Sequence, residues 1–387
     1  MLRFLTAGES HGKALVVIVE GLPAGLPLTV EEVQGELARR RLGYGRGPRM
    51  RFEQDEVTLL GGVRHGLTLG SPVAIEIGNT EWVRSDKWHE EMSPAPGETK
   101  APLTQPRPGH ADLAGMQKYG HRDARSVLER ASARETAARV AAGTVAKALL
   151  ATIGVQLVSH TVQLGDVRAR RGLRPRPEDV EVVDANAVRC FDDDATVDMV
   201  DAIKRAANEG DSLGGASEVL ATGVPVGLGS HVHWDRKLDA LLAQALMSVQ
   251  AVKAVELGDG LDVAGRRGSE GHDPISWDAE RGSYRRDSDL AGGIEGGIST
   301  GSLLVARAYM KPLATLNRPV LKTVDVETKE EAVSFKERTD VTAVPAMGVV
   351  AETMVALVLA GEALRKFGGD SVDEFVRNRD AFLGSLS

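Results

Sequence analysis

The chain has 387 residues, a net charge of −8, 42% apolar and 26% charged residues, and one cysteine, Cys190. These are globular proportions; the acidic balance argues against a nucleic-acid binder, and one cysteine rules out a disulfide framework or a multi-cysteine metal site. Glycine is abundant, at 43 residues, which implies many turns and close backbone approaches.

Taken in chain order, "MLRFLTAGES" lacks the apolar core of a secretory signal. "ALVVIVEGLP" (14–23) is a β-branched apolar run and reads as a buried strand. "TVEEVQGELARRRLG" places Thr29 and Glu32 in capping-box spacing and stops at Gly43, which predicts a helix. "VTLLGG" and "SPVAIEIGN" read as strands. Residues 79–106 show no periodicity and read as a long loop. "ADLAGMQKYG" predicts a short helix. "SARETAARVAAGTVAKALLATIG" predicts a long one, with Ser132 and Glu135 again in capping-box spacing. Further helices are expected at 196–209, 236–249 and 344–366, and a last short one capped by Ser371 and Glu374. Strands are expected near 155–163, 216–222 and 302–310, and loops at 165–190 and 266–290. The apolar run at 344–367 carries Glu352 and Glu362, so a buried helix fits it better than a membrane span. Strand pairs and helices do not alternate steadily, which favours an α+β layered domain over a doubly wound sheet. The expectation is a single domain, 1–387, with loop insertions near 79–106, 165–190 and 266–290, in a soluble cytoplasmic protein that binds neither nucleic acid nor membrane.

Several segments could carry chemistry. "GESHG" (8–12) fits the G-x-S-x-G nucleophile elbow of serine hydrolases. That elbow needs several strands before the serine, and Ser10 has at most one. "RRRLGYGRGPRMR" (39–51) gathers Arg39, Arg40, Arg41, Arg46, Arg49 and Arg51. The first three could complement a helix C-terminus, whereas Arg46 and Arg49 point to an anionic ligand. A nucleic-acid backbone ranks below a small anion there, because aromatics for base stacking are scarce. "RPGHADLAGMQKYG" (107–120) offers Arg107 and His110, with a satisfied loop histidine as the alternative. "RDARSVLERASARET" (122–136) leads Arg122, Arg125, Arg130 and Arg134 into a helix N-terminus. Cations there oppose the dipole unless an anion sits among them. "GGIEGGISTG" (292–301) matches neither the dinucleotide nor the P-loop spacing and could simply be turns. Lys311 after a strand could meet a phosphate. Arg338 and Asp340 share a face if extended, either in a site or as a surface ion pair. "HVH" (231–233) would put two imidazoles on one strand face, but no carboxylate cluster accompanies it and no metal site is assigned.

In order along residues 1–367, "GESHG", "RRRLGYGRGPRM", "RPGHADLAGMQKYG", "RASARETAARVAAG", "GDSLGG", "SVQAVKAVELG", "GGIEGGISTG", "MKPLATL" and "RTDVTAVPA" resemble the chorismate synthase family. The resemblance implies a lyase of aromatic amino-acid biosynthesis at the last step of the shikimate pathway. The reaction is a 1,4-anti elimination of phosphate from 5-enolpyruvylshikimate 3-phosphate, giving chorismate and needing reduced FMN. It also implies a β-α-β sandwich, helices between two antiparallel sheets, assembled as a homotetramer. By motif position, His11 protonates the reduced flavin, His110 assists phosphate departure, and Asp340 helps flavin N5 take the C6 proton. Ser10, Arg40, Arg46, Arg49, Arg107, Arg134 and Arg338 fall at substrate-binding positions. Arg130, Ala131, Ser132, Gln250, Ala251, Gly296, Lys311, Pro312, Leu313, Ala314, Thr315 and Arg338 fall at FMN positions, and Arg40 and Arg46 also at NADPH positions. Many relatives carry serine where this chain has Ala131 and Ala314, so a side-chain hydroxyl contact to flavin is lost there. Without a separate nicotinamide fingerprint, flavin reduced by another enzyme is expected, with NADPH as the alternative reductant.

Overall fold

The computed structural model describes residues 2–47, 55–97, 99, 101–280, 282–334 and 340–386. Two antiparallel sheets enclose a double layer of helices. The first sheet has four strands in the spatial order Arg3–Ala7, Ala14–Glu20, Val73–Gly78, Val57–Gly61. Along its strands, Leu15, Val17, Val19, Ile75 and Ile77 are buried on one face while Leu5 and Ile18, paired across strands, are exposed on the other. This is the period-2 pattern of a sheet with one covered side. The second sheet runs Val252–Leu257, Leu304–Met310, Gly215–Thr222, Gln156–Leu164, Val167–Arg168.

The Val30–Arg40 and Thr136–Ala151 helices pack beneath the first sheet, and Leu238–Met247 and Val344–Phe367 against the second. This is the α+β, sheet–helix–sheet architecture that the resemblance implied. Val344–Phe367 is long and apolar enough to cross a membrane, but 89% of its most apolar window is buried inside the protein. It is the shared core of both layers. The helices approach closely at Gly143, where an added Cβ would lie 2.2 Å from Thr353 Cβ. Gly143→Ala should therefore cost about 1–3 kcal/mol by overpacking, more than the roughly 1 kcal/mol that alanine gains in helix propensity. A thermal melt should show a lower midpoint; an unchanged or higher one would mean the helices can separate freely.

The expected helices and strands appear within a few residues of their predicted limits. Thr29 caps the first helix through the Glu32 amide, and Ser371 caps Val372–Gly384 through Glu374. Three expectations need correction. The Ser132/Glu135 pair forms no capping box: Ser132 accepts from the Arg134 amide, a 3-10 turn (Ala133–Glu135) precedes the helix, and the Glu135 carboxylate is taken by Thr6, Arg139 and Gln250. The "HVH" segment lies in a bend before Trp234–Arg236, not on a strand. The long loops hold short elements of their own: Thr80–Arg84 and Asp86–Glu91, the Val180–Ala185 helix, and an Ile275–Asp278/Ser283–Arg286 hairpin. Val180 packs on Val158, Leu220 and Val305 and covers the outer face of the second sheet. A run of apolar positions on both strand faces carried that information, and it was read only as strand.

Candidate active site

One large cavity, about 870 Å3, opens between the helical layer and the loops at one end of the two sheets. Its wall draws on residues from Ser10 to Val350. Among the described residues it is lined by six cations (Arg40, Arg46, Arg107, Arg134, Lys253, Lys311) and two carboxylates (Glu81, Asp340). In a chain of net charge −8, this concentration makes the cavity an anion trap. Val249, Val252, Met310, Leu313, Met347 and Val350 supply an apolar wall facing those cations.

"GESHG" sits in the turn between the first two strands, so it is a hairpin connection and not the strand-to-helix elbow a hydrolase nucleophile requires. Ser10 is 2% exposed, and its hydroxyl oxygen accepts from Ser132 Oγ at 3.1 Å. The hydrolase reading fails on that backbone context. Gly8, at φ +99°, lets the turn pass the Ala14 carbonyl at a distance no Cβ would permit. His11 is gripped from three sides. Glu129 Oε1 lies 2.9 Å from Nδ1, Glu81 Oε2 lies 3.2 Å from Nε2, and the Trp88 ring stacks on the imidazole at 3.8 Å.

His110 lines the same cavity. Asp112 Oδ1 lies 2.5 Å from its Nδ1, and Asp112 Oδ2 accepts from Arg107 Nε at 2.8 Å. Burial alone would raise the Asp112 carboxyl, but the hydrogen bonds from His110 and Arg107 outweigh it and hold it well below the usual carboxylate range. An ionised carboxylate only accepts, so His110 Nδ1 carries the proton. Arg107 also donates to Thr315 Oγ1 at 3.2 Å.

The remaining arginines divide into two groups. Arg40 donates to Thr136 Oγ1 and the Ala133 carbonyl from the cavity wall, and Arg46 lies 3.2 Å from Asp340. Asp340 also accepts from the Gly47 amide at 2.6 Å. Arg134 lines the cavity, yet its guanidinium donates to Asn79, Asp55 and the Gly78 carbonyl. Arg130 turns away, to the carbonyls of Thr6 and Gly8, and Arg125 pairs with Glu91 and Glu129. The expectation that the four arginines before the helix gather round one anion therefore needs correction: of Arg122, Arg125, Arg130 and Arg134, only Arg134 borders this cavity. Arg49 and Arg338 lie outside the described residues.

Ala131, Ser132, Gln250, Ala251, Lys311, Leu313, Ala314 and Thr315 all line the cavity, with Pro312 between them in the chain. Gln250 donates to Glu135 from Nε2, and its buried Oε1 has no hydrogen-bond partner among the described residues. Ala251 adopts φ +65°, a strained conformation for a residue with a Cβ, of the kind that clusters at binding sites. Gly296 is elsewhere: with Gly297 it makes the tight turn of the Ile294–Glu295/Ile298–Ser299 hairpin, both at positive φ, and it does not line the cavity. Sequence reading missed Glu129, Glu81 and Trp88, and also the pairing of Asp112 with His110. Asp112 had a local signal, Arg-x-x-His-x-Asp. Glu129 had none, since it meets His11 across 118 residues of chain.

The "Chorismate synthase" family profile matches residues 2–364. Proteins named chorismate synthase from Salinispora tropica and Streptomyces coelicolor are each 60% identical over the whole of this chain, which covers 99% and 98% of theirs. The one from Thermobifida fusca is 58% identical, again over the whole chain and 99% of its own. A structure titled "Crystal Structure of Chorismate Synthase" superposes with a TM-score of 0.80 at 39% identity, covering 100% of this chain and 98% of that one. The chain belongs to the chorismate synthase family, and so to the lyases that carry out the last step of the shikimate pathway.

Proposed function

We propose that the cavity is where 5-enolpyruvylshikimate 3-phosphate loses phosphate to give chorismate, beside reduced FMN. The observation that carries this reading is the six-cation cavity itself, flanked by two histidines that each have a buried carboxylate on Nδ1. The substrate bears two carboxylates and a phosphate. Arg40, Arg46, Arg107 and Lys311 are placed on the wall to bind them, and guanidinium forks suit such groups bidentately. Ser10 and Arg134 adjoin the same space, with Arg134 also tying the Asn79 turn to the helical layer. Arg49 and Arg338 are proposed as further substrate contacts on motif position alone.

The cavity fits a flavin on grounds of its own. It has an apolar wall for a flat ring, an orphaned buried acceptor in Gln250 Oε1, and a strained residue, Ala251, beside it. Ala131, Ser132, Gln250, Ala251 and the 311–315 turn would hold the ring and its phosphate. Arg130, Pro312, Gly296 and Arg338 are assigned to FMN by motif position only. The chemistry FMN in its reduced form would supply there is a transient electron, lent and recovered, which would leave the reaction redox-neutral overall.

The chain's own groups manage charge and protons. As the C3–O bond breaks, its electron pair leaves with the phosphate; the electrons of the C6–H bond form C1=C6, and the ring's C1=C2 pair shifts to C2=C3. His110 donates a proton to the departing phosphate from Nε2, while Arg107 and Lys311 stabilise its charge. Asp340, steadied by Arg46 and the Gly47 amide, is assigned to assist removal of the C6 proton. His11 keeps a proton at the cavity rim and sets the charge of the reduced ring. Arg40 and Arg46 are the proposed NADPH contacts, although reduction of the flavin elsewhere fits equally the lack of a nicotinamide fingerprint. The protein is proposed to act as a cytoplasmic homotetramer; the exposed Leu5 and Ile18 on the open sheet face support self-association.

Anaerobic incubation with FMN, dithionite and the substrate should release chorismate and phosphate in equal amounts. Flavin binding with no chorismate would overturn the reading. Repeating the incubation with NADPH in place of dithionite separates a self-reducing enzyme from a dependent one.

A further inference from the structure

The His11 environment holds more than a proton donor. Glu129 is 3% exposed, does not line the cavity, and makes a two-point grip on the turn: Oε2 accepts from the His11 amide at 2.9 Å, and Oε1 faces His11 Nδ1 at 2.9 Å. The Glu129 carbonyl accepts from the Ser10 amide at 3.0 Å as well. A carboxylate held by an amide and by Arg125, 3.4 Å away, acts as an acceptor. The Nδ1 position of His11 is thereby the donor, and Nε2 is left as the atom that gains and loses a proton.

At Nε2 stands a second carboxylate, Glu81, on the Thr80–Arg84 turn. The adjoining Asp86–Glu91 helix brings Trp88 onto the imidazole face, with Lys87 4.8 Å and Arg125 5.5 Å from that indole ring, and Glu91 on Arg125. No residue of these two short helices is buried. Glu81 and Trp88 meet His11, and Glu91 meets Arg125.

We infer that Glu129 is the positioning residue of His11, fixing Nδ1–H so that Nε2 is the atom that carries the exchangeable proton, with Glu81 as its partner before ligands bind. The inference rests on the role proposed for His11 but is tested apart from it. Trp88 is a built-in reporter, because a protonated imidazole stacked on an indole quenches its fluorescence. In a protein whose other tryptophans, Trp82, Trp234 and Trp277, are replaced by phenylalanine, emission follows the charge on His11.

Glu129→Gln keeps the acceptor for the His11 amide and removes the charge. Its quenching midpoint should fall by about 1 pH unit or more relative to the parent, the effect of losing an opposite charge at this distance. Glu81→Gln should lower it also. In the complete protein, Glu129→Gln should reduce kcat by about 10–100-fold, as for partners that orient histidines in metal sites, with KM for the substrate within twofold because Glu129 stands behind the wall. An unchanged quenching midpoint in a folded Glu129→Gln protein, checked by circular dichroism, overturns the inference. A lowered midpoint with full turnover in His11→Ala would instead leave Glu129 as the positioning residue and remove His11 from the chemistry.

Discussion

Replacement of His110 by alanine is expected to lower turnover by about 10²–10⁴-fold, the range for a lost acid–base group, with little change in substrate affinity. The reason lies in how the site is tied. Asp112 serves both His110 and Arg107, so removing the imidazole leaves the Arg107–Asp112 pair intact at 2.8 Å. The anion-binding fork therefore stays in place while the proton on Nε2 disappears. Anaerobic release of phosphate, followed at several pH values, reads the effect directly. Asp112→Asn is the companion variant. It weakens both partners at once, so kcat should fall and KM rise together. Full activity in His110→Ala would remove that residue from phosphate departure.

The second large effect concerns stability. Glu352 lies in the middle of the Val344–Phe367 helix with no exposed surface. It meets Arg39 at 2.8 Å, Lys147 at 2.7 Å and Ser159 Oγ at 2.8 Å. Burial alone would raise its carboxyl, but Lys147 and Arg39 outweigh that and hold it far below the ordinary value. Its pKa is depressed in the folded state, so its contribution is present above the unfolded value of 4.5 and is lost only as pH falls well below it. Glu352→Ala leaves Arg39 and Lys147 half-compensated in the interior, and breaking a buried pair in this way costs about 3–5 kcal/mol. Glu36, which touches both cations, should hold the loss near the lower end. The thermal midpoint at fixed protein concentration should drop by several degrees. Since Arg39 adjoins Arg40, KM should rise as well. A melt indistinguishable from the parent would show that the network is dispensable.

What could be read beforehand follows the range of the interactions involved. Helix 30–40 carried its start and stop within its own sequence, and the Ser371/Glu374 cap did too. The arginines could be recognised as anion-directed, but which of them reach the cavity could not. Arg125 is consumed by Glu129 one helical turn on and by Glu91 on another element, and Arg130 by two carbonyls that lie far away in sequence. The same limit hid Glu129 from His11. It also made Ser132/Glu135 look like a capping box, because Thr6, Arg139 and Gln250 compete for that carboxylate only in the folded protein. Motif order identified the family; residue-level partnership required the fold.

The late position of the Val344–Phe367 helix has a consequence for how the protein is made. The Gln156–Leu164 and Gly215–Thr222 strands emerge long before the helix that covers their inner face. At synthesis rates of about 5–20 residues per second, that apolar surface waits on the order of ten seconds without its partner. Such delayed long-range pairing slows folding and exposes nascent chains to aggregation and to chaperones. The cavity is completed at the same moment, since Met347 and Val350 of that helix form part of its wall. A chain cut off before this helix lacks that part of the cavity wall, so catalysis itself certifies that translation passed through Val344–Phe367, with only the Val372–Gly384 helix and its buried Phe375 still to join the core.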